Sequence, residues 1–107
     1  MKIIWQTRAK KGRAQVANYI YRQFGLERLK KFRQQVDHTA KMIMSHPNIG
    51  SIDPLFADRP FAYSSVIING LSKMVYRVDD EKIYIVAFWD TRREPNAQAR
   101  QVNDSLE

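Results

Sequence analysis

Three strand-forming runs in the second half of the chain restrict its fold more than any other feature. Residues 63–68, 71–78 and 82–90 are rich in β-branched and aromatic side chains, which favour strands. Asn69-Gly70 separates the first two runs, and this pair readily supplies the positive φ angles that a tight type I′ hairpin turn requires. Asp79-Asp80 marks a second turn between the second and third runs. The sequence therefore predicts a three-stranded antiparallel meander.

The last of these runs carries apolar side chains on both of its predicted faces. Simple alternation places Ile83, Ile85, Ala87 and Trp89 on one face and Tyr84, Val86 and Phe88 on the other. Such a strand lies inside a sheet, or turns its second face toward a partner. It leads directly into Arg92 and Arg93, and Pro95 then ends the ladder.

Two helices precede the meander. Thr7 is the predicted N-cap of the first helix, in which apolar residues recur at helical spacing over residues 8–24. Gly25 supplies a permissive backbone that ends this helix. A second helix starts near Leu26 and stops before Pro47. Because one residue links them, the two helices must fold back on each other as an αα-hairpin.

The order of elements is a short strand over residues 1–5, two helices and three strands. We predict one α+β domain over residues 1–107, with an antiparallel sheet that the N-terminal strand and the meander form and with the αα-hairpin packed on one face. Residues 47–62 hold three prolines and one glycine, and form either a surface crossing or a loop that a partner orders. Residues 96–107 are polar and form either a frayed helix or a disordered tail.

The composition excludes several classes of site. The chain has no cysteine, so a disulfide framework, a zinc finger or a thiol nucleophile cannot form, and a reducing cytosol suits it. No apolar run reaches the ~20 residues that a bilayer span needs, and the N-terminus lacks the apolar region of a signal peptide. His38 and His46 do not have metal-binding spacing, and the acids at 79–81 fit a solvated turn. We expect a cytoplasmic protein without a cofactor, a metal or a membrane partner.

Positive charge is concentrated in the first third of the chain. Residues 1–35 hold ten Lys and Arg and one acid, a net charge of +9, whereas residues 36–107 have a net charge of −2. This asymmetry favours an anionic partner, either nucleic acid or an acidic protein segment, over a neutral one. The alternative is that the charges form the solvated outer faces of the two helices.

Several short motifs follow one another in an order typical of one family. They are Ile3-Ile4-Trp5, Phe24-Gly25, His46-Pro47-Asn48-Ile49-Gly50, Val75-Tyr76-Arg77-Val78 and Phe88-Trp89-Asp90-Thr91-Arg92-Arg93-Glu94-Pro95. In this order and spacing the chain resembles the RelE/ParE toxin superfamily of type II toxin–antitoxin systems. The ending of two aromatic residues, Asp, x, Arg, x, x and Pro resembles the ParE-like branch, the plasmid stabilisation proteins, more than the RelE-like ribonucleases.

The resemblance implies a small cytoplasmic toxin that a cognate antitoxin protein wraps and neutralises. ParE-like members poison DNA gyrase, whereas RelE-like members cut mRNA on the ribosome. We therefore expect a gyrase inhibitor that acts by protein–protein contact. The alternatives are a ribosome-dependent mRNA endonuclease and an interaction domain that has lost its toxicity.

Comparison with the RelE-like pattern favours a toxin that is not an enzyme. The two lysine positions of that pattern fall near Ser64 and Val66, and its tyrosine position falls near Ala99. Lys73 and Arg93 keep the basic positions of the second and third meander strands. A ribonuclease built on this chain would have to use Lys73, Arg77 and Arg93, a set that is short of general acid and base groups.

The paired arginines after the last strand suggest that this end of the sheet contacts the target. The predicted target-binding residues are Lys73, Trp89, Asp90, Arg92 and Arg93. One interpretation is that Arg93 pairs with Asp90 or Glu94 and only caps the sheet. The other is that the guanidinium groups grip a carboxylate or phosphate of the target with two hydrogen bonds. The helical face and an open sheet edge would then bind an acidic antitoxin segment, as a helix in a groove or as an added strand.

Overall fold

The chain folds as an α+β protein, as predicted, and the computed structural model describes residues 1–104. The elements are β1 (Lys2–Trp5), α1 (Thr7–Phe24), α2 (Leu26–Ser45), β2 (Ser51–Ile52), a 3₁₀ turn (Pro54–Phe56), β3 (Ser64–Ile68), β4 (Ser72–Asp79), β5 (Lys82–Asp90) and α3 (Pro95–Ala99). No helix within residues 1–104 is long and apolar enough to cross a membrane.

The predicted meander forms the centre of a five-stranded sheet with the order β1-β5-β4-β3-β2. The turn residues Asn69 and Gly70 both have positive φ angles, 55° and 69°, as the hairpin prediction required. The N-terminal strand joins the sheet beside β5 and runs parallel to it, while the other neighbouring strands are antiparallel. The two-residue strand β2, inside the segment predicted to be irregular, forms the opposite edge.

Helices α1 and α2 pack on one face of the sheet as the predicted αα-hairpin. Gly25 links them with a φ of 89°, a left-handed conformation that glycine adopts without steric strain. The buried residues between the helices and the sheet include Leu29, Phe32, Val36 and Ile43 from α2 and Met74, Tyr76, Ile83, Ile85 and Phe88 from the strands. The buried residues of α2 are among those that its apolar periodicity predicts, whereas Tyr21 and Phe24, which share the periodicity of α1, are exposed.

The start of α1 differs from the prediction by one residue. Gln6, not Thr7, is the N-cap, and Thr7 is the first helical residue. The backbone amide of Gln6 donates to the carbonyl oxygen of Ile85 at 3.0 Å, and its own carbonyl accepts from the amide of Lys10. Gln6 is therefore the residue at which the sheet ladder ends and the helix begins, a role that depends on contacts distant in sequence.

The predicted alternation of side chains along β5 holds through Val86 and is wrong from Ala87 onward. Val75 and Tyr76 are adjacent in β4 but pair with Ala87 and Ile85, so that Val86 is an extra residue in β5. One extra residue reverses the direction of every later side chain. Phe88 consequently joins the helix-side core, whereas Ala87 and Trp89 lie on the opposite face with Tyr84.

A second core lies on the sheet face opposite the helices. Its buried residues are Phe56, Tyr63, Val75, Tyr84, Val86, Ala87, Trp89, Ala99 and Val102. Ala99 and Val102 belong to the segment predicted as either a frayed helix or a disordered tail. Part of that segment is the short helix α3, and its residues 105–107 lie outside the described residues. The side chain of Glu94 accepts hydrogen bonds from the amides of Asn96 and Ala97, which caps α3 at its first turn.

Candidate functional site

The residues at the end of β5 are held by a bidentate ion pair. The guanidinium of Arg92 donates from Nε to Asp90 Oδ1 at 3.0 Å and from Nη2 to Asp90 Oδ2 at 2.5 Å. The hydrogen bond from Arg92 lowers the pKa of Asp90 and, in turn, raises the pKa of Arg92 above its ordinary value. Arg92 also lies over the ring of Tyr19 from α1, at 5.3 Å. The Arg92 guanidinium is therefore already engaged within the chain.

Arg93 does not make the carboxylate pair that one interpretation of the sequence expected. Asp90 pairs with Arg92, and Glu94 accepts from the amides of α3. Arg93 is exposed, and its Nη1 donates to Gln15 Oε1 of α1 at 3.2 Å. Within residues 1–104 its guanidinium forms no ion pair, so its positive charge is available to a partner.

Lys73 lies on the other face of the sheet, where its charge is neutralised within the chain. Its ammonium is 2.5 Å from Asp53 Oδ2, and the side chains of Lys73 and Asp53 are only 16% and 2% exposed. The other oxygen of Asp53 accepts from the amide of Leu55 at 3.0 Å, which fixes the start of the 3₁₀ turn. Trp89 is the cross-strand neighbour of Lys73 and is 3% exposed. Neither residue presents a free polar or aromatic surface in this structure.

Arg77 is the most deeply buried cation of the candidate set. It is 2% exposed, and its guanidinium lies 4.0 Å from the centre of the Phe61 ring. Its Nη1 donates to the hydroxyl of Tyr63 at 3.3 Å, and that hydroxyl donates to Asp104 at 2.6 Å. Burial and the hydrogen bond to Asp104 raise the pKa of Tyr63 to about 12. Tyr63 therefore stays protonated at neutral pH.

The structure does not bring the three candidate ribonuclease residues together. Lys73 and Arg77 share one face of β4 but are four residues apart, about 13 Å along the strand. Arg93 lies beside α1 instead, where it contacts Gln15. The three cations therefore have different contacts: Lys73 pairs with Asp53, Arg77 donates to Tyr63 and Arg93 donates to Gln15.

A polar groove between α1, β5 and the C-terminal segment is the largest concave feature near Arg93. Its volume is about 470 Å³, and its lining residues are Thr7, Arg8, Lys11, Gly12 and Gln15 of α1, Val86, Ala87, Phe88 and Trp89 of β5, and Gln98, Gln101 and Val102. A smaller depression of about 200 Å³ adjoins it, with Gly12, Gln15 and Trp89 in common, and extends to Arg93. We call the two together the α1–β5 groove.

Three cations of the α1–β5 groove are unpaired in the part of the chain that the structure describes. Arg8, Lys11 and Arg93 are exposed and form no ion pair within residues 1–104. Asp90, which is the acid that lines the groove among these residues, is paired with Arg92. Arg8, Lys11 and Gln15 were not among the predicted site residues, although their spacing of three and four places them on one face of a helix.

The chemistry of the groove suits binding of an anionic group. Guanidinium and ammonium groups with neighbouring amides can hold carboxylates or phosphates. Residues 1–104 contain no group of three or more His, Cys, Asp or Glu side chains placed to hold a metal ion. The cations that line the groove can therefore hold an anionic group.

Comparisons with known proteins agree with this fold. A family model described as the ParE toxin of the type II toxin–antitoxin system parDE matches residues 3–95. Among solved structures, the chain is similar to one described as the chromosomal ParDE TA system from P. aeruginosa, with a TM-score of 0.68 and 18% identity. The similarity covers 84% of this chain and 95% of the other, and at this identity it concerns the fold alone. No curated protein sequence matches the chain.

Proposed function

The chain belongs to the ParE toxin family of type II toxin–antitoxin systems, and we propose that it acts by binding DNA gyrase rather than by cutting RNA. The observation that carries this proposal is the separation of Lys73, Arg77 and Arg93. RNA cleavage by a 2′-hydroxyl needs a base, an acid and a cation around one phosphate. Here Arg77 is buried, Lys73 is paired with Asp53, and Arg93 contacts Gln15 of α1.

The α1–β5 groove is the surface we propose for the target. Arg8, Lys11 and Arg93 lie in the open, and Arg93 is positioned by its hydrogen bond from Nη1 to Gln15. A protein target that presents carboxylates would meet these three cations without displacing any internal ion pair. The pair of Asp90 with Arg92 would keep the end of β5 rigid, which lowers the entropic cost of binding.

The antitoxin partner would use the same positive surface. We propose that an acidic segment of a cognate antitoxin lies over the α1–β5 groove and so blocks access of the target, in the cytoplasm where gyrase acts. The net charge of +9 on residues 1–35 supports an acidic partner, because complementary charge accelerates encounter and selects against basic proteins. A disordered acidic segment would become ordered on binding.

Expression of the chain without an antitoxin tests the proposed target. We expect induction of the SOS response, DNA breaks and inhibition of purified gyrase in a supercoiling assay. Codon-dependent mRNA cleavage on ribosomes would overturn the proposal in favour of the endonuclease. Unimpaired growth at full expression would instead indicate an interaction domain without toxicity.

The groove assignment is tested with single substitutions. Arg93→Ala should weaken gyrase inhibition about tenfold, since a charge-assisted hydrogen bond at an interface contributes about 1.4 kcal/mol or more. Arg33→Ala is the matched control, because Arg33 is an exposed arginine of α2 outside the groove. Equal inhibition by the two variants would show that the groove is not the target surface.

A further inference from the structure

Two arginines of this chain use their guanidinium groups in contrasting ways. Arg92 directs the edge formed by Nε and Nη2 at a carboxylate, that of Asp90. Arg77 has the same edge, but neither its Nε nor its Nη2 has a hydrogen-bond partner within residues 1–104. This Nε–Nη2 edge is the part of an arginine that fits the two oxygens of a carboxylate.

The environment of Arg77 makes this lack of a partner costly. A buried cation needs a counter-charge and hydrogen bonds to offset the loss of water. The carboxylate linked to Arg77, that of Asp104, meets it only through the hydroxyl of Tyr63. Asp104 is also 2.9 Å from Nη1 of Arg59, so one carboxylate serves two guanidinium groups. Within residues 1–104 the buried Arg77 guanidinium therefore forms no direct ion pair.

Phe61 covers the Arg77 guanidinium from the solvent side. Three aromatic rings surround that group, those of Phe61, Tyr63 and Tyr84. Tyr63 and Tyr84 are buried in the second core, whereas Phe61 is 43% exposed and lies in the connection between the 3₁₀ turn and β3. Movement of the Phe61 side chain would therefore uncover Arg77 without disturbing the core.

We propose that the Nε–Nη2 edge of Arg77 is a carboxylate-binding site, which Phe61 covers in the free protein and which an Asp or Glu side chain of a partner protein occupies. The site takes a carboxylate rather than a phosphate because the Nε–Nη2 edge offers two parallel donors that match the two oxygens of a planar carboxylate. A phosphate dianion would need further donors, and the nearest hydroxyl, Tyr63, already donates to Asp104. The inference does not depend on which target the toxin has.

Acetate is the probe for this site. Sodium acetate, compared with sodium chloride at equal ionic strength and pH 7, should stabilise the protein in a saturable way. At about ten times the dissociation constant, the expected rise in Tm is about 5 °C for a domain of this size. Phe61→Ala should give the same rise at a lower acetate concentration, because the covering ring is gone.

Substitutions test whether the acetate-dependent rise in Tm comes from binding at Arg77. Arg77→Met should abolish the acetate-dependent rise, and Arg33→Met, at an exposed arginine of α2, should retain it. Arg77→Met should still fold, since replacing an unpaired buried cation with an apolar side chain of similar length is often neutral or stabilising. An equal acetate-dependent rise in Arg77→Met and the unmodified protein would overturn the proposal.

A second measurement does not rely on Arg77→Met. The Nε–H resonance of Arg77 in NMR spectra of the unmodified protein should shift with acetate along the same saturation curve, and at lower acetate in Phe61→Ala. An unchanged resonance in both proteins would refute the site. A tighter and saturable response to inorganic phosphate than to acetate would refute the choice of carboxylate.

Discussion

The ion pair between Lys73 and Asp53 allows a direct test of whether Lys73 stabilises the fold or contacts the target. Lys73 is a predicted target-binding residue, yet its ammonium contacts the Asp53 carboxylate, which is almost completely buried. Asp53 also accepts from the amide of Leu55, and its own amide donates to the carbonyl of Tyr63 at 2.8 Å. We therefore expect Lys73→Met to act on the stability of this loop and only indirectly on toxicity.

The size of the effect follows from the burial of the two partners. Removal of Lys73 leaves a buried carboxylate without a counter-charge, which typically costs about 3–5 kcal/mol in the free energy of unfolding. For a domain of this size that corresponds to a fall in Tm of about 12–20 °C. Asp53→Asn should cost less, about 1–2 kcal/mol, because Lys73 retains some contact with solvent. In the Asp53→Asn background, Lys73→Met should cost only about 1 kcal/mol, which corresponds to a coupling of about 2–4 kcal/mol.

Urea unfolding of the four proteins in this double-mutant cycle measures the coupling. Lys82→Met is the control, since Lys82 is an exposed strand lysine with no ion pair within residues 1–104. Its effect should stay within about 0.5 kcal/mol. If Lys73→Met were as mild as Lys82→Met, the argument from burial would be wrong. If the double variant regained stability but not toxicity, Lys73 would contact the target directly.

Three further predictions concern the packing and the pH dependence of the fold. Tyr76→Phe should destabilise the protein by about 1–3 kcal/mol, because the Tyr76 hydroxyl donates to the carbonyl of Pro47 at 2.6 Å and accepts from the amide of Gly50 at 3.0 Å. Urea unfolding measures the effect, and Tyr21→Phe, at an exposed tyrosine of α1, is the control. Gly12→Ala should lower the free energy of unfolding by about 1–3 kcal/mol or more, since a Cβ atom there would lie 1.9 Å from the carbonyl oxygen of Phe88. An unchanged Tm would contradict the close approach of α1 to β5. Burial opposes ionisation of Asp104, but hydrogen bonds from Tyr63 and Arg59 to its carboxylate lower its pKa. The contribution of Asp104 to stability is therefore present above the unfolded-state pKa of about 3.9. It is lost as the pH falls through the lower folded-state pKa. Asp104→Asn should flatten that acid limb of a plot of Tm against pH, and an identical limb in the two proteins would exclude the role of Asp104.

The parts of the fold that were predicted correctly depend on residues that are adjacent in the sequence. The hairpin turn at Asn69-Gly70 and the link at Gly25 need particular φ angles, which the residue type alone indicates. The bulge at Val86 depends instead on the pairing of β5 with β4, and an apolar run that is buried on both faces has no polar residue to reveal the change of phase. The parallel partner of β5 likewise comes from the other end of the chain.

The candidate site shows the same division between local and distant contacts. Sequence identified Arg92, Arg93 and Asp90 because they are close together at the end of a strand. One of its two interpretations paired Arg93 with Asp90 or Glu94, whereas the structure pairs Asp90 with Arg92. The pair of Lys73 with Asp53 joins residues on either side of β3, and no local pattern predicts it. The second core was also missed, because the polar C-terminal segment has few apolar residues and depends on contacts with the 3₁₀ turn.

A cation that is paired with a carboxylate of the same chain is less available to a partner protein than an unpaired one. Lys73, Arg59 and Arg92 each face a carboxylate of the same chain, and separating such a pair would cost a free energy comparable to that of a new ion pair with the partner. Arg8, Lys11 and Arg93 have no such pair within residues 1–104 and lie along one groove, so that a partner can bind them without this penalty. RNA cleavage with Lys73 and Arg77 would require the first to leave its ion pair with Asp53 and the second to leave its buried position.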